Sequence, residues 1–204
     1  LAIDRIRVIY NPVILPNLAE RASVAIEHPW FQPGELPVIL GVGRFVEQKD
    51  FATLIRAFAQ VRQKRPARLV LLGHGREKAR LLTLSQELGV AEDVALLPFT
   101  SNPYAYMARA SVMALSSVWE GLPTVLIEAM AVGTPVVATN CKSGPAEILD
   151  SGRWGKLVPV GDDSAIATAL LEVLAGNTPT VAPEWLEQFK LKNAIQRYLD
   201  LLGI

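Results

Sequence analysis

The sequence predicts an α/β domain built on a doubly wound parallel sheet. Short apolar runs recur between residues 38 and 176, each followed by a stretch with helical spacing. Those runs are apolar throughout rather than alternating, as strands covered on both faces must be. The connections are short, so right-handed strand–helix–strand crossovers follow.

Ile6-Arg7-Val8-Ile9-Tyr10 reads as a strand that Asn11-Pro12 stops. Residues 14–37, with Pro16, Pro29, Pro33, Gly34 and Pro37, read as an extended connector. The first core strand is Val38 to Val42. Phe51, Leu54, Ile55 and Phe58 then mark one helical stripe at i, i+3, i+4 and i+7. A strand at Arg68–Leu72 leads into a helix carrying Leu81, Leu82, Leu84 and Leu88, with Gly89 just past its end. Val94–Leu97 is a strand, and Pro103 to Ala110 a short helix. Val112–Leu115 is a strand, followed by a helix with Pro123 as its first residue and Gly133 at its close. Val136–Ala138 is a strand, and a helix capped by Asp162-Asp163-Ser164 runs to Gly176. After the Pro-rich break at 178–183 the tail from Glu184 to Leu202 is helical, placed to pack away from the sheet.

Composition narrows the function classes. With half of its 204 residues hydrophobic, the chain can bury enough surface to offset its ordering entropy, which excludes disorder. Twenty basic against twenty acidic residues leave no net charge, so no nucleic-acid footprint is expected. No apolar run reaches the 18 or so residues of a membrane span. One cysteine, Cys141, excludes an internal disulfide and suits a reducing, cytoplasmic setting. The opening Leu-Ala-Ile-Asp-Arg lacks a Met and the order of a signal peptide, and reads as cut from a longer chain.

In an open α/β sheet, ligands bind beyond the carboxyl ends of the strands. After the first core strand stand Gly43, Arg44 and Lys49, two cations five residues apart that can converge on one polyanion. After the second comes Gly73-His74-Gly75, equally readable as a close approach to ligand and as a tight turn. The richest stretch follows Leu115: Ser116-Ser117-Val118-Trp119-Glu120-Gly121-Leu122-Pro123-Thr124-Val125, then Glu128. Free N–H groups at Thr124 and Val125 would make an anion site at the helix start. Glu128 lies on a helix apolar nearly all round, where a carboxylate is costly unless it meets a partner or ligand. Cys141 has no base beside it and reads as a spectator.

Competing motifs fail. Val46 stands where the third glycine of a dinucleotide fingerprint is required, which weakens an oxidoreductase reading, and no P-loop occurs. No metal-ligand spacing occurs either, so no metal site is expected.

Four features in order resemble the C-terminal half of a retaining group 1 (family 4) glycosyltransferase of the GT-B architecture. They are Gly43-Arg44 with Lys49; Gly73-x-Gly75; Glu120 and Glu128 eight positions apart within Glu-Gly-Leu-Pro-x-Val-Leu-Ile-Glu-Ala-Met-Ala; and Gly133-Thr134-Pro135-Val136-Val137-Ala138-Thr139. Asn11-Pro12-Val13 stands where the family often has Asn-Gly-Val. The resemblance implies a Rossmann-like domain over 38–177 that binds a nucleotide-diphosphate sugar, with 1–37 as an inter-domain linker. It implies that 178–204 is a closing helix set against an N-terminal, acceptor-binding domain.

The implied roles follow position by position. Arg44 and Lys49 clamp the diphosphate and stabilise the leaving group without a metal. Glu128 accepts from the ribose hydroxyls, and Glu120 lies near the transferred sugar. Gly43 and the backbone from Gly121 through Leu122, Pro123, Thr124 and Val125 hold phosphate and hexose, while Gly75 and Phe99 border the base. The Ser143-Gly144-Pro145-x-Glu147 element is shared with some subgroups that use hexose or N-acetylhexosamine donors. No cofactor is implied, a UDP-sugar is favoured over GDP- or ADP-sugars, and membrane association would come peripherally through the other half. The alternative is a non-catalytic nucleotide-sugar-binding module acting with a partner subunit.

Overall fold

The computed structural model describes residues 6–204. Six strands, β1 (Val38–Val42), β2 (Arg68–Leu72), β3 (Val94–Leu97), β4 (Val112–Leu115), β5 (Val136–Thr139) and β6 (Lys156–Val158), form one sheet in the order β3-β2-β1-β4-β5-β6. Every pair is parallel. The order reverses between β1 and β4, which opens a crevice at their carboxyl ends.

Strand residues divide by parity between two cores. Ile39, Leu69, Leu71, Val112 and Ala114 face α2 (Phe51–Lys64), α3 (Lys78–Glu87) and α7 (Asp163–Leu174). Leu40, Val70, Met113 and Leu115 face α4 (Pro103–Met107), α5 (Thr124–Ala131) and α6 (Pro145–Ile148). The central strands are therefore apolar on both faces, and polar residues stand only at strand ends, at Arg68, Thr139 and Lys156. Asp50 caps α2 by accepting from the Thr53 amide at 3.2 Å, and Asp162 caps α7 through the Ala165 amide at 2.8 Å.

Several expectations are corrected. Ile6–Tyr10 is not a strand: both edges of the sheet lie elsewhere, and Ile6 and Val8 are exposed. Tyr10 instead rests on the ring of Phe189. The connector is not wholly extended, since it contains α1 (Leu18–Ser23), seated on Leu18, and a helical turn at Pro29–Phe31. Pro123 is the cap of α5 rather than its first helical residue. The strand β6 was not anticipated.

The tail breaks into α8 (Pro183–Leu186), a turn, and α9 (Leu191–Leu202). Its first part does not leave the domain. Trp185 Nε1 donates to the Ile148 carbonyl at 2.9 Å, and Phe189 is buried among the second core. The Phe189 carbonyl accepts from the amides of Val13 and Ile14, tying the tail to the connector. On α9, Ile195, Tyr198, Leu201 and Leu202 are exposed. Among the described residues no helix is long and apolar enough to cross a membrane.

Candidate functional site

The loops after β1 and β4 flank the point where strand order reverses, and they are knitted together. The Val118 amide donates to the Gln48 carbonyl at 2.8 Å, Gln48 Nε2 donates to the Trp119 carbonyl at 2.9 Å, and Ser116 Oγ donates to the Lys49 carbonyl at 2.7 Å. This frame brings Lys49 Nζ to 2.5 Å from Glu120 Oε1. Ser117 Oγ donates to the same oxygen at 2.7 Å. The two side chains are only 15 % and 8 % exposed. The pair is therefore shielded, and its attraction is much stronger than that of a surface pair. Glu120 Oε2 accepts no side-chain hydrogen bond among the described residues, and two of the three Lys49 protons are likewise unclaimed. Gly43 lies beneath the lysine: a Cβ there would stand 3.2 Å from Lys49 Cε.

Arg44 is exposed and makes no side-chain hydrogen bond or ion pair among the described residues. Its place is nonetheless fixed by its neighbour. Phe45 is fully buried, and its amide donates to the His74 carbonyl at 2.7 Å. The loops after β1 and β2 touch backbone to backbone at the two glycines. A Cβ on Gly73 would overlap the Gly43 carbonyl oxygen, and one on Gly75 would lie 2.3 Å from the Phe45 carbonyl oxygen. Loop packing alone thus accounts for glycine at 75. Beyond them Phe99, 67 % exposed, meets His74 edge to face with centroids 5.9 Å apart.

At 121 nothing in the fold demands glycine, because a Cβ there would meet open space. Leu122 is half-buried and Pro123 buried, which anchors the turn. The Leu126 amide makes the first helical bond, to the Pro123 carbonyl, so the amides of Thr124 and Val125 have no backbone partner among the described residues. Glu128 follows one turn later, half-buried. Burial raises its carboxyl above the usual range, while hydrogen bonding to Thr124 and the charge of Arg21 pull it back. Arg21 lies over the Tyr104 ring, 4.5 Å from its centroid. Burial, then the Glu128 charge, raises the Tyr104 hydroxyl.

Sequence reasoning missed Arg21 and Tyr104. Arg21 sits in a segment without helical periodicity, and no local spacing links either residue to Glu128. Cys141 is buried, and burial together with the nearby Glu120 charge raises its thiol, so it is poorly suited to act as a nucleophile.

Of the residues singled out from sequence, Gly43, Lys49, Glu120, Gly121 and Pro123 form one contiguous group. Arg44 stands on the same loop as Lys49. Glu128, Thr124 and Val125 share α5, and Gly75 and Phe99 lie on the loops after β2 and β3.

Residues 25–190 match the family described as glycosyl transferases group 1. The chain is 38 % identical over 169 residues to an N-acetylgalactosaminyltransferase of Campylobacter jejuni that acts on N-acetylgalactosamine-N,N'-diacetylbacillosaminyl-diphospho-undecaprenol, covering 82 % of this chain and 44 % of that protein. It is 36 % identical over 146 residues to the lipopolysaccharide core biosynthesis glycosyltransferase LpsE of Rhizobium meliloti, covering 72 % and 42 %. The chain thus spans less than half the length of these curated relatives. Among solved structures, Anabaena HepE in complex with UDP and glucose superposes with a TM-score of 0.73 at 25 % identity, over 81 % of this chain and 48 % of that one. The outer core galactosyltransferase WaaB superposes at 0.77 over all of this chain and 57 % of its own, with 24 % identity, a likeness of fold. With this fold, this loop arrangement and a family match across most of its length, the chain belongs to the group 1 glycosyltransferases, of GT-B type.

Proposed function

We propose that this chain is the donor-binding half of a retaining, metal-independent glycosyltransferase. It would transfer a sugar from a nucleotide-diphosphate sugar, a UDP-sugar ahead of GDP- or ADP-sugars, to a glycan, lipid or protein acceptor. The observation that carries the reading is the shielded Lys49–Glu120 pair at the strand-order reversal, beside Arg44, which is unpaired among the described residues. Lys49 and Glu120 cancel in charge, so the guanidinium of Arg44 is the positive charge on this loop left for an incoming diphosphate. Lys49 keeps two protons for phosphate oxygens, and Glu120 keeps Oε2 for a sugar hydroxyl. The free amides of Thr124 and Val125 add donors at a helix start. As the glycosidic bond breaks, negative charge grows on the leaving diphosphate, and preorganised cations stabilise that growth without reorganising. Glu128 would take the ribose hydroxyls, and Phe99 and Gly75 would border the base.

The complex of a relative with UDP supports uridine, and the names of the lipopolysaccharide and undecaprenol-linked relatives support a cell-surface glycan or its lipid carrier as acceptor. The other half would supply the acceptor site, lie against the apolar face of α9, and make any contact with the inner face of a membrane, in a cytoplasmic enzyme. The test is calorimetry of the chain with UDP, GDP and ADP. UDP should bind most tightly, and Arg44→Ala should weaken it. Failure of all three nucleotides to bind would overturn the reading.

A further inference from the structure

We propose that Gly144 is a positioning residue of the donor site: through it, the loop after β5 fixes the Gly121–Pro123 backbone. The inference rests on the donor-binding reading above. Gly144 has φ +86° and ψ −69°, a strained conformation for any residue with a side chain. A Cβ there would lie 2.5 Å from the Gly121 carbonyl oxygen and 2.4 Å from Pro123 Cδ. The turn that carries the donor-facing backbone therefore sits directly on Gly144, while the Cβ direction of Gly121 is open. The same two loops meet again at the bridge between Trp119 and Lys142.

The seat itself is pinned from behind. Gly144 opens α6, whose Ile148, with the following Leu149, is fully buried. Glu147 Oε1 on that helix accepts from the Tyr10 hydroxyl at 2.5 Å, a contact that burial and this carboxylate register by pushing the tyrosine up to about 12. A methyl group on Gly144 would have to displace the turn by about 1 Å, a shift large enough to misplace the amides that follow it.

The test compares Gly144→Ala with Gly133→Ala. Gly133 also has positive φ, +83°, at the far end of α5, but a Cβ there meets nothing within 4 Å. Both substitutions should lower the melting temperature through backbone strain. Only Gly144→Ala should weaken UDP binding, by about tenfold or more, and shift the amide NMR resonances of Gly121, Leu122, Thr124 and Val125. Unchanged resonances at those four amides overturn the inference, whatever the affinity. If the unsubstituted chain binds no nucleoside diphosphate, the donor reading falls, and the resonance comparison still decides this one. Should Gly144→Ala not fold, Tyr10→Phe, which releases only the Glu147 contact, decides by the same resonance measurement.

Discussion

Lys49 and Glu120 are held 2.5 Å apart with little solvent between them and bulk water, so removing one strands the other. Breaking a buried pair leaves an uncompensated charge, at a cost of about 3 kcal/mol or more. Lys49→Ala should therefore lower stability sharply, and adding Glu120→Gln should restore most of it, because the carboxylate no longer needs a cation. Transfer by the full enzyme should stay lost in both. A double variant no more stable than Lys49→Ala, measured by denaturant unfolding, would mean the pair is not coupled as its geometry implies. Glu128 behaves oppositely. Burial is the first cause of its raised carboxyl, so the native state holds that proton more tightly than the unfolded chain does. Ionised Glu128 then costs stability, a penalty absent below the unfolded value of 4.5, growing as pH rises through the raised folded value and constant above it. Glu128→Gln should accordingly melt higher at neutral pH, with the gain fading towards pH 4, while UDP affinity falls. A variant that melts lower at pH 7 would contradict the desolvation account.

Glycines separate loop architecture from ligand contact at the scale of elements. Gly75→Ala drives a Cβ into the Phe45 backbone and should cost about 2–3 kcal/mol in unfolding experiments. Gly121→Ala should leave stability unchanged or slightly improved, since φ is not positive and space is open, yet weaken UDP binding. Equal destabilisation by both would show that the Gly121 turn is constrained by the fold. What was legible from sequence follows the same division. Strands β1 to β5 could be read because each holds an unbroken apolar run, with polar residues only at the ends, Arg68 and Thr139. The three residues of β6 were not, since Lys156-Leu157-Val158 is too short to show a period. Ile6–Tyr10 has strand-forming residues but no free sheet edge to join, so tertiary placement overrode propensity. The loop residues Lys49, Glu120 and Gly121 could be singled out because they stand on loops at the carboxyl ends of strands and match the order of the family's motifs. Arg21 and Tyr104 approach Glu128 only through tertiary contacts, which no spacing in the sequence encodes, and Gly144, visible within Ser143-Gly144-Pro145-x-Glu147, shows its contact with the Gly121–Pro123 turn only in three dimensions.

At the scale of the whole molecule, the chain carries the loops proposed to bind the donor and spans only 44 % and 42 % of two curated relatives. Ile195, Tyr198, Leu201 and Leu202 on α9 expose an apolar face. Sugar transfer needs an acceptor held within about 3–3.5 Å of the reacting carbon, a geometry that the proposed donor-binding half would not impose alone. The 204-residue chain should thus bind UDP yet transfer no sugar from a UDP-sugar to any acceptor. The same chain tests the electrostatics of the donor site. A diphosphate brings roughly two negative charges, and transferases that use a divalent cation meet them with it. Here, among the described residues, Arg44 has no ion-pair partner, Lys49 keeps unclaimed protons, and two amides of α5 lack partners. If these groups suffice, the dissociation constant of UDP in calorimetry should be the same in EDTA as in Mg²⁺ or Mn²⁺, and should rise with salt as charge pairs are screened. Binding that vanishes in EDTA would mean the cations of the chain do not carry the diphosphate, and turnover by the isolated chain would mean this half already contains an acceptor site.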